Sequence, residues 1–141
     1  MKNFYVINGP NLNMLGEREP DTYGSLSLEE LENHTNSKLK DHDVILEWWQ
    51  SNSESEIIDK IQSIVDGNYD ALIINPAAYS HTSIAILDAL KIIKFPIVEV
   101  HLTNVYSRES FRHSLLTAQA SSIIMSGLGK EAYYFAALTQ L

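Results

Sequence analysis

Five short runs of apolar, largely β-branched residues recur along the chain, at residues 4–8, 44–49, 71–75, 97–101 and 122–126. They do not alternate between apolar and polar positions, as a half-exposed strand would. Their apolarity is nearly continuous, which suits strands covered on both faces of a parallel sheet. Parallel neighbours need crossover connections, and helical patterns fill the gaps between the runs. Ser27 and Glu30 read as a capping box, with Leu28, Leu31 and Leu39 at helical spacing behind it. Ser53 and Glu56 repeat the box ahead of Ile57, Ile58, Ile61, Ile64 and Val65, a stripe at i, i+1, i+4, i+7 and i+8. A third helix is predicted over 82–94, closed off by Pro96, and a short fourth over 107–112. Gly127-Leu128-Gly129 then leads into a last helix running through Leu138.

This β-α order with mostly short connections predicts an α/β, doubly wound parallel sheet. A chain of 141 residues without repeats, low-complexity stretches or linkers fits one domain over 1–141. At that size the flavodoxin-like sandwich, with five strands in the order 2-1-3-4-5, is the expected arrangement. Strands 1, 3 and 4 are then neighbours, and ligands bind beyond their carboxyl ends near the switch point between 1 and 3. Chemistry is therefore expected after Asn8, Asn75 and His101. The connection over 9–26 is far longer than the usual two to six residues or so of a βα loop. Gly9, Pro10, Gly16, Pro20 and Gly24 punctuate it, which reads as a shaped lid with hinges.

Composition narrows the function. Ten Lys and Arg against 18 Asp and Glu give a formal net charge of -8, a surface that repels nucleic acid. The lysines fall at the N-terminus or on predicted helices, whereas Arg18, Arg108 and Arg112 all lie in or beside loops that follow strands. Cysteine is absent, so disulfides and thiolate catalysis are excluded. No apolar run is long enough to cross a bilayer, and Met1-Lys2-Asn3-Phe4 leads straight into a strand, which points to a cytoplasmic protein. Neither a Gly-x-Gly-x-x-Gly turn nor a Walker loop follows strand 1, and no His-Glu-x-x-His or Cys/His set is present, so no cofactor or metal is expected. The lack of a lysine at a strand carboxyl end argues against Schiff-base chemistry.

Several side chains could act at the expected cleft, each with a plainer reading beside it. Asn8-Gly9-Pro10-Asn11 is a site turn or ordinary turn chemistry. Tyr23 is a packing anchor, or a base whose phenolate a nearby Arg18 stabilises. Asn75 and His81 point at one cleft, although a histidine near a helix start can be a local hydrogen-bonding group. Alternation puts Glu99 and His101 on the same face of strand 4. That is either a structural ion pair or a carboxylate that fixes the tautomer of a general acid, and burying a charged pair there without purpose is costly. Arg108 and Arg112 clamp an anion or hydroxyl, or bridge subunits. Asp88, set mid-helix among apolar neighbours, needs a partner, with a subunit interface one source.

Taken together, Asn8-Gly9-Pro10-Asn11-Leu12, Leu15-Gly16, Arg18-Glu19-Pro20 and Tyr23-Gly24 closely resemble the signature of type II 3-dehydroquinate dehydratases. The likeness continues through Asn75-Pro76, His81-Thr82-Ser83, Glu99-Val100-His101, Ser107-Arg108-Glu109, Phe111-Arg112 and His113-Ser114, in the same order along nearly the whole chain. Ala77 departs from the glycine often found after Asn-Pro in that family, and Ser80 from threonine.

The resemblance implies a small-molecule substrate, 3-dehydroquinate, dehydrated by anti elimination through an enolate without any cofactor. It implies Tyr23 as the base, Arg18 as the lid residue that keeps it phenolate, and Asn11 as the group orienting a water on the enolate oxygen. His101, held by Glu99, would be the general acid. Asn75, the backbone at Leu102 and Thr103, and the Thr103 hydroxyl would hold the substrate carboxylate, with His81 and Arg112 on ring hydroxyls. Asp88 would come from a neighbouring subunit of a homo-oligomer, a dodecamer built from trimers. Two other classes stand beside this one. One is a catalytically silent flavodoxin-like module binding an anionic metabolite or a partner, and the other is a metal-dependent hydrolase.

Overall fold

In the computed structural model, which describes residues 1–17, 21 and 24–141, five strands form one sheet. They are β1 (Lys2–Asn8), β2 (Val44–Gln50), β3 (Ala71–Asn75), β4 (Ile97–His101) and β5 (Ile123–Ser126). All pairs are parallel, in the order β2-β1-β3-β4-β5, the doubly wound arrangement expected. The register sets Asn8 level with Asn75, so two of the expected strand ends finish side by side.

Strand residues of opposite parity feed two cores. Phe4, Val6, Ile73, Val98 and Val100 face one layer, containing Leu31 of helix α1 (Leu28–Lys38) and Tyr133 and Ala136 of helix α5 (Ala132–Leu138). Tyr5, Ile7, Leu72, Ile74 and Ile97 face the other, against helix α2 (Glu54–Ile64) and helix α4 (Ile84–Leu90). The stripe on α2 behaves as read: Ile57, Ile61 and Ile64 are buried, each contributing about 1.5–3 kcal/mol relative to an exposed side chain. Both caps form, the Ser27 hydroxyl accepting from the Glu30 N–H and the Ser53 hydroxyl from the Glu56 N–H, worth about 1 kcal/mol apiece.

Two expectations need correction. The helix predicted over 82–94 is instead one turn, α3 (Tyr79–Thr82), followed by α4. Ser83 separates them in extended conformation, because its hydroxyl accepts from the Ile86 N–H at 2.9 Å and starts a new helix. The helix predicted over 107–112 is two 3-10 turns, Val105–Ser107 and Ser110–Arg112. Asn104 turns the chain into the first by accepting from the Tyr106 N–H, a side chain competing with helical bonding. Asp88 is exposed in the single chain, while Leu87, Ala89 and Leu90 carry the buried face of α4. Among the described residues no helix is long and apolar enough to cross a membrane.

Candidate active site

The site begins where β1, β3 and β4 end. Gly9 N–H donates to the Asn75 carbonyl at 2.8 Å, carrying the β1–β3 ladder one residue past the strands. A Cβ on Gly9 would lie 2.5 Å from the Pro76 carbonyl oxygen, so glycine is required here by close approach of two backbones. Asn11 follows in left-handed conformation (φ 69°), which asparagine tolerates well. Its N–H donates to the Asn52 side chain at 2.9 Å.

A buried amide–phenol network underlies the two strand ends. The Tyr133 hydroxyl donates to the Asn8 side-chain oxygen and accepts from Asn75 Nδ2 at 3.2 Å. Asn75 Oδ1 accepts from the Ala77 N–H at 3.1 Å. Burial drives the Tyr133 phenol well above the ordinary tyrosine range, partly offset by the Asn75 hydrogen bond. It is therefore a fixed neutral hydrogen-bonding post.

Above this network lies a cavity of about 150 Å³, lined by Asn11, Asn75, His81, His101, Leu102, Thr103, Arg108 and Arg112 together with Pro10, Leu12, Ala77, Ala78 and Val105. Seven residues singled out from the sequence as substrate or proton-transfer contacts (Asn11, Asn75, His81, His101, Leu102, Thr103 and Arg112) thus share one wall. Arg108, read from sequence as a clamp or a bridge, lines it too. Two guanidinium groups thus line one cavity of a chain whose net charge is -8. Glu99 does not line the cavity; it sits behind His101. Asp88 lies away from the lining, on the exposed side of α4. Arg18 and Tyr23 lie outside the described residues, as do residues 19, 20 and 22 of the predicted lid.

The two cavity histidines are held differently. Glu99 is completely buried, and its Oε2 accepts from His101 Nε2 at 2.8 Å. Because a carboxylate can only accept here, Nε2 carries a hydrogen, and Nδ1 is the nitrogen left for a ligand. His81 Nδ1 lies 2.9 Å from the Ser114 carbonyl, so that nitrogen is the donor and Nε2 is left as an acceptor. Burial lowers the His81 pKa below the ordinary value, and the positive charge of His101 and Arg112 lowers it further; the Ser114 carbonyl and Glu99 act in the opposite sense. Arg112 Nε donates to Glu109 at 2.8 Å, which leaves its terminal nitrogens for the cavity.

Two residues of this arrangement escaped the sequence reading. Thr117 is fully buried and its hydroxyl donates to Glu99 Oε1. Its one sequence signal is a polar residue within Leu115-Leu116-Thr117-Ala118. Tyr133 gives none, since a tyrosine on an apolar helix face reads as packing until its hydroxyl is known to be buried.

The chain was compared with known proteins. The family described as "Dehydroquinase class II" matches residues 2–141. A 3-dehydroquinate dehydratase of Clostridium botulinum (strain Hall) is 51% identical over 136 residues, covering 96% of this chain and 92% of the relative. The crystal structure of type II dehydroquinase from Butyrivibrio crossotus superposes with a TM-score of 0.95 at 41% identity, covering 99% of this chain and 97% of that one. The crystal structure of type II dehydroquinase from Propionibacterium acnes superposes with a TM-score of 0.94 at 35% identity, covering 99% of this chain and 95% of that one.

Proposed function

This chain belongs to the class II dehydroquinase family, and from that premise we propose that it is the hydro-lyase converting 3-dehydroquinate to 3-dehydroshikimate, a shikimate-pathway step of aromatic amino-acid biosynthesis. The observation that carries this reading is the buried Glu99–His101 pair opening onto the arginine- and amide-lined cavity. An anion-binding module has use for the arginines, but none for a buried carboxylate that fixes an imidazole, whose burial costs several kcal/mol unless well paired.

In the mechanism proposed, Tyr23 as phenolate removes the proton beside the ketone, and Arg18 keeps that phenol ionised. The electron pair left behind forms an enolate, whose oxygen a water oriented by Asn11 stabilises by hydrogen bonding. Collapse of the enolate expels the ring hydroxyl on the opposite side. His101 donates a proton from Nδ1 to it, so that water leaves and a double bond remains. Glu99 keeps the other imidazole nitrogen protonated throughout, so proton delivery is confined to Nδ1. Asn75, the backbone N–H groups at Leu102 and Thr103, and the Thr103 hydroxyl hold the substrate carboxylate. His81, neutral with Nε2 as acceptor, and Arg112, a donor, would read different ring hydroxyls.

The proposal includes a cytoplasmic, single-domain subunit without a cofactor, assembled into a dodecamer of four trimers in which Asp88 reaches a neighbour's site. Ile84, 62% exposed, stands one helical turn before Asp88 on α4.

Mixing the protein with 3-dehydroquinate should produce a rising ultraviolet band as the new double bond conjugates ketone and acid, unaffected by a strong chelator or borohydride. Tyr23→Phe should remove the rise while leaving substrate binding in place. A flat trace from folded wild-type protein would overturn the enzymatic reading in favour of a binding module.

A further inference from the structure

Glu99 has no exposed surface, sits mid-core on the α2–α4 side of the sheet, and divides its two oxygens between two partners. Oε2 accepts from His101 Nε2 at 2.8 Å, and Oε1 accepts from the Thr117 hydroxyl. Thr117 is itself fully buried, at the start of the 3-10 turn Thr117–Ala120. That turn packs against α4, and α4 leads back through Ser83 to α3 and His81.

Without Thr117, Glu99 Oε1 would be a buried charged oxygen lacking this donor, a costly state that the carboxylate could escape by rotating or by taking up a proton. Either escape would change what His101 meets at Nε2. A rotated carboxylate releases the ring, and a protonated one no longer acts purely as an acceptor. A hydroxyl fixed on Oε1 blocks both. The β-branch matters as well, since a buried threonine has few χ1 options and holds its hydroxyl in one direction.

We infer that Thr117 is a positioning residue for proton transfer: its hydroxyl locks the Glu99 carboxylate, and through it His101, so that the imidazole presents Nδ1 to the departing hydroxyl. The inference rests on the dehydratase reading above. Thr117 touches neither the cavity nor the substrate, so its effect must pass entirely through Glu99.

The test uses the intact enzyme with Thr117→Val, which keeps shape and removes the hydroxyl, and Thr117→Ser, which keeps the hydroxyl and removes a methyl. Thr117→Val should lower kcat about tenfold or more with KM within about twofold, and should displace a limb of the kcat–pH profile; Thr117→Ser should restore both. In a Glu99→Gln background, Thr117→Val should have little further effect on kcat, because the pair acts as one unit. Wild-type kcat and pH profile in Thr117→Val would overturn the inference. So would an equal loss in folded Thr117→Ser, which would assign the residue to packing. Should Thr117→Val fail to fold, Thr117→Ser decides alone: an unchanged pH profile with kcat within about twofold upholds the role, and a tenfold loss sinks it. Absence of turnover in wild type would instead defeat the dehydratase reading, and the His101 ring proton signals in wild type and Thr117→Val would still report on the lock. Identical signals in the two proteins would overturn it.

Discussion

The imidazole rings of His81 and His101 lie 28° from parallel, with centroids 6.4 Å apart, and are held by partners of opposite character. A buried carboxylate fixes His101, whereas a neutral backbone carbonyl, that of Ser114, fixes His81. Two copies of one residue type thereby leave different nitrogens toward the cavity, Nδ1 of His101 and Nε2 of His81.

His81 should make folding weaker in acid. Its folded pKa is lowered chiefly by burial, while in the unfolded chain the ring titrates at about 6.5. Between those two values the unfolded state binds more protons, so this residue's contribution rises with pH across that window. It is lost as pH falls from about 6.5 through the lowered folded value, and is constant above. Urea unfolding at pH 7 and pH 5 should therefore show a smaller loss of stability in His81→Asn than in wild type. A ring titration midpoint at or above 6.5 in the folded protein would contradict this.

Ala77→Gly should stabilise the protein, against the usual direction for that exchange. Ala77 has φ 51°, a left-handed conformation costing an L-residue roughly 1–2 kcal/mol. Glycine removes that strain but adds unfolded-state entropy of about 0.4–1 kcal/mol. A net gain of about 0.5–1 kcal/mol is expected from urea midpoints. The substitution should leave the Ala77 N–H bond to Asn75 intact. A lower midpoint would mean that the turn does not need its left-handed form.

Gly9→Ala should be severe for a different reason. Gly9 is absent from the left-handed positions; its difficulty is the 2.5 Å approach to the Pro76 carbonyl. Backbone cannot yield as a flexible side chain does, so the β1 and β3 exits must separate. Overpacking of this kind costs about 1–3 kcal/mol, and it displaces Asn75 from the cavity wall. Thermal unfolding should show the loss, and KM for 3-dehydroquinate should rise several-fold. A variant with wild-type melting and KM would refute the packing argument.

The strand runs and the pairing of Glu99 with His101 were legible because they depend on periodicity, and periodicity is local. Asn8, Asn75 and His101 could be assigned to one cleft once the strand order was assumed, since each ends one of three neighbouring strands. Ser83 was hidden inside an apolar helical pattern, where only its side-chain bond to Ile86 reveals a second start. That Asp88 faces outward was not legible from its apolar sequence neighbours, because neighbours in sequence are not neighbours on a helix face. Thr117 lies 18 residues from Glu99 and Tyr133 lies 125 from Asn8; no short window contains such pairs. The need for glycine at position 9 comes from the close approach of the backbone just past β3, which no local turn motif reveals.

Tyr133→Phe tests the longest of those links. The change keeps ring packing in the α5 layer and deletes one oxygen, so the fold should persist. What is lost is the donor to Asn8 and the acceptor for Asn75, leaving two buried amide groups short of a partner. An unsatisfied buried group costs about 1–3 kcal/mol, so the midpoint should fall accordingly. The Asn75 amide, no longer held by the phenol, should spend less of its time in the orientation proposed to meet the substrate carboxylate. KM should therefore rise about three- to tenfold while kcat changes little, because the proposed proton-transfer groups are untouched. A fall in kcat with unchanged KM would place Tyr133 on the proton-transfer side of the site, and an unchanged midpoint would show that water takes over the role of the hydroxyl.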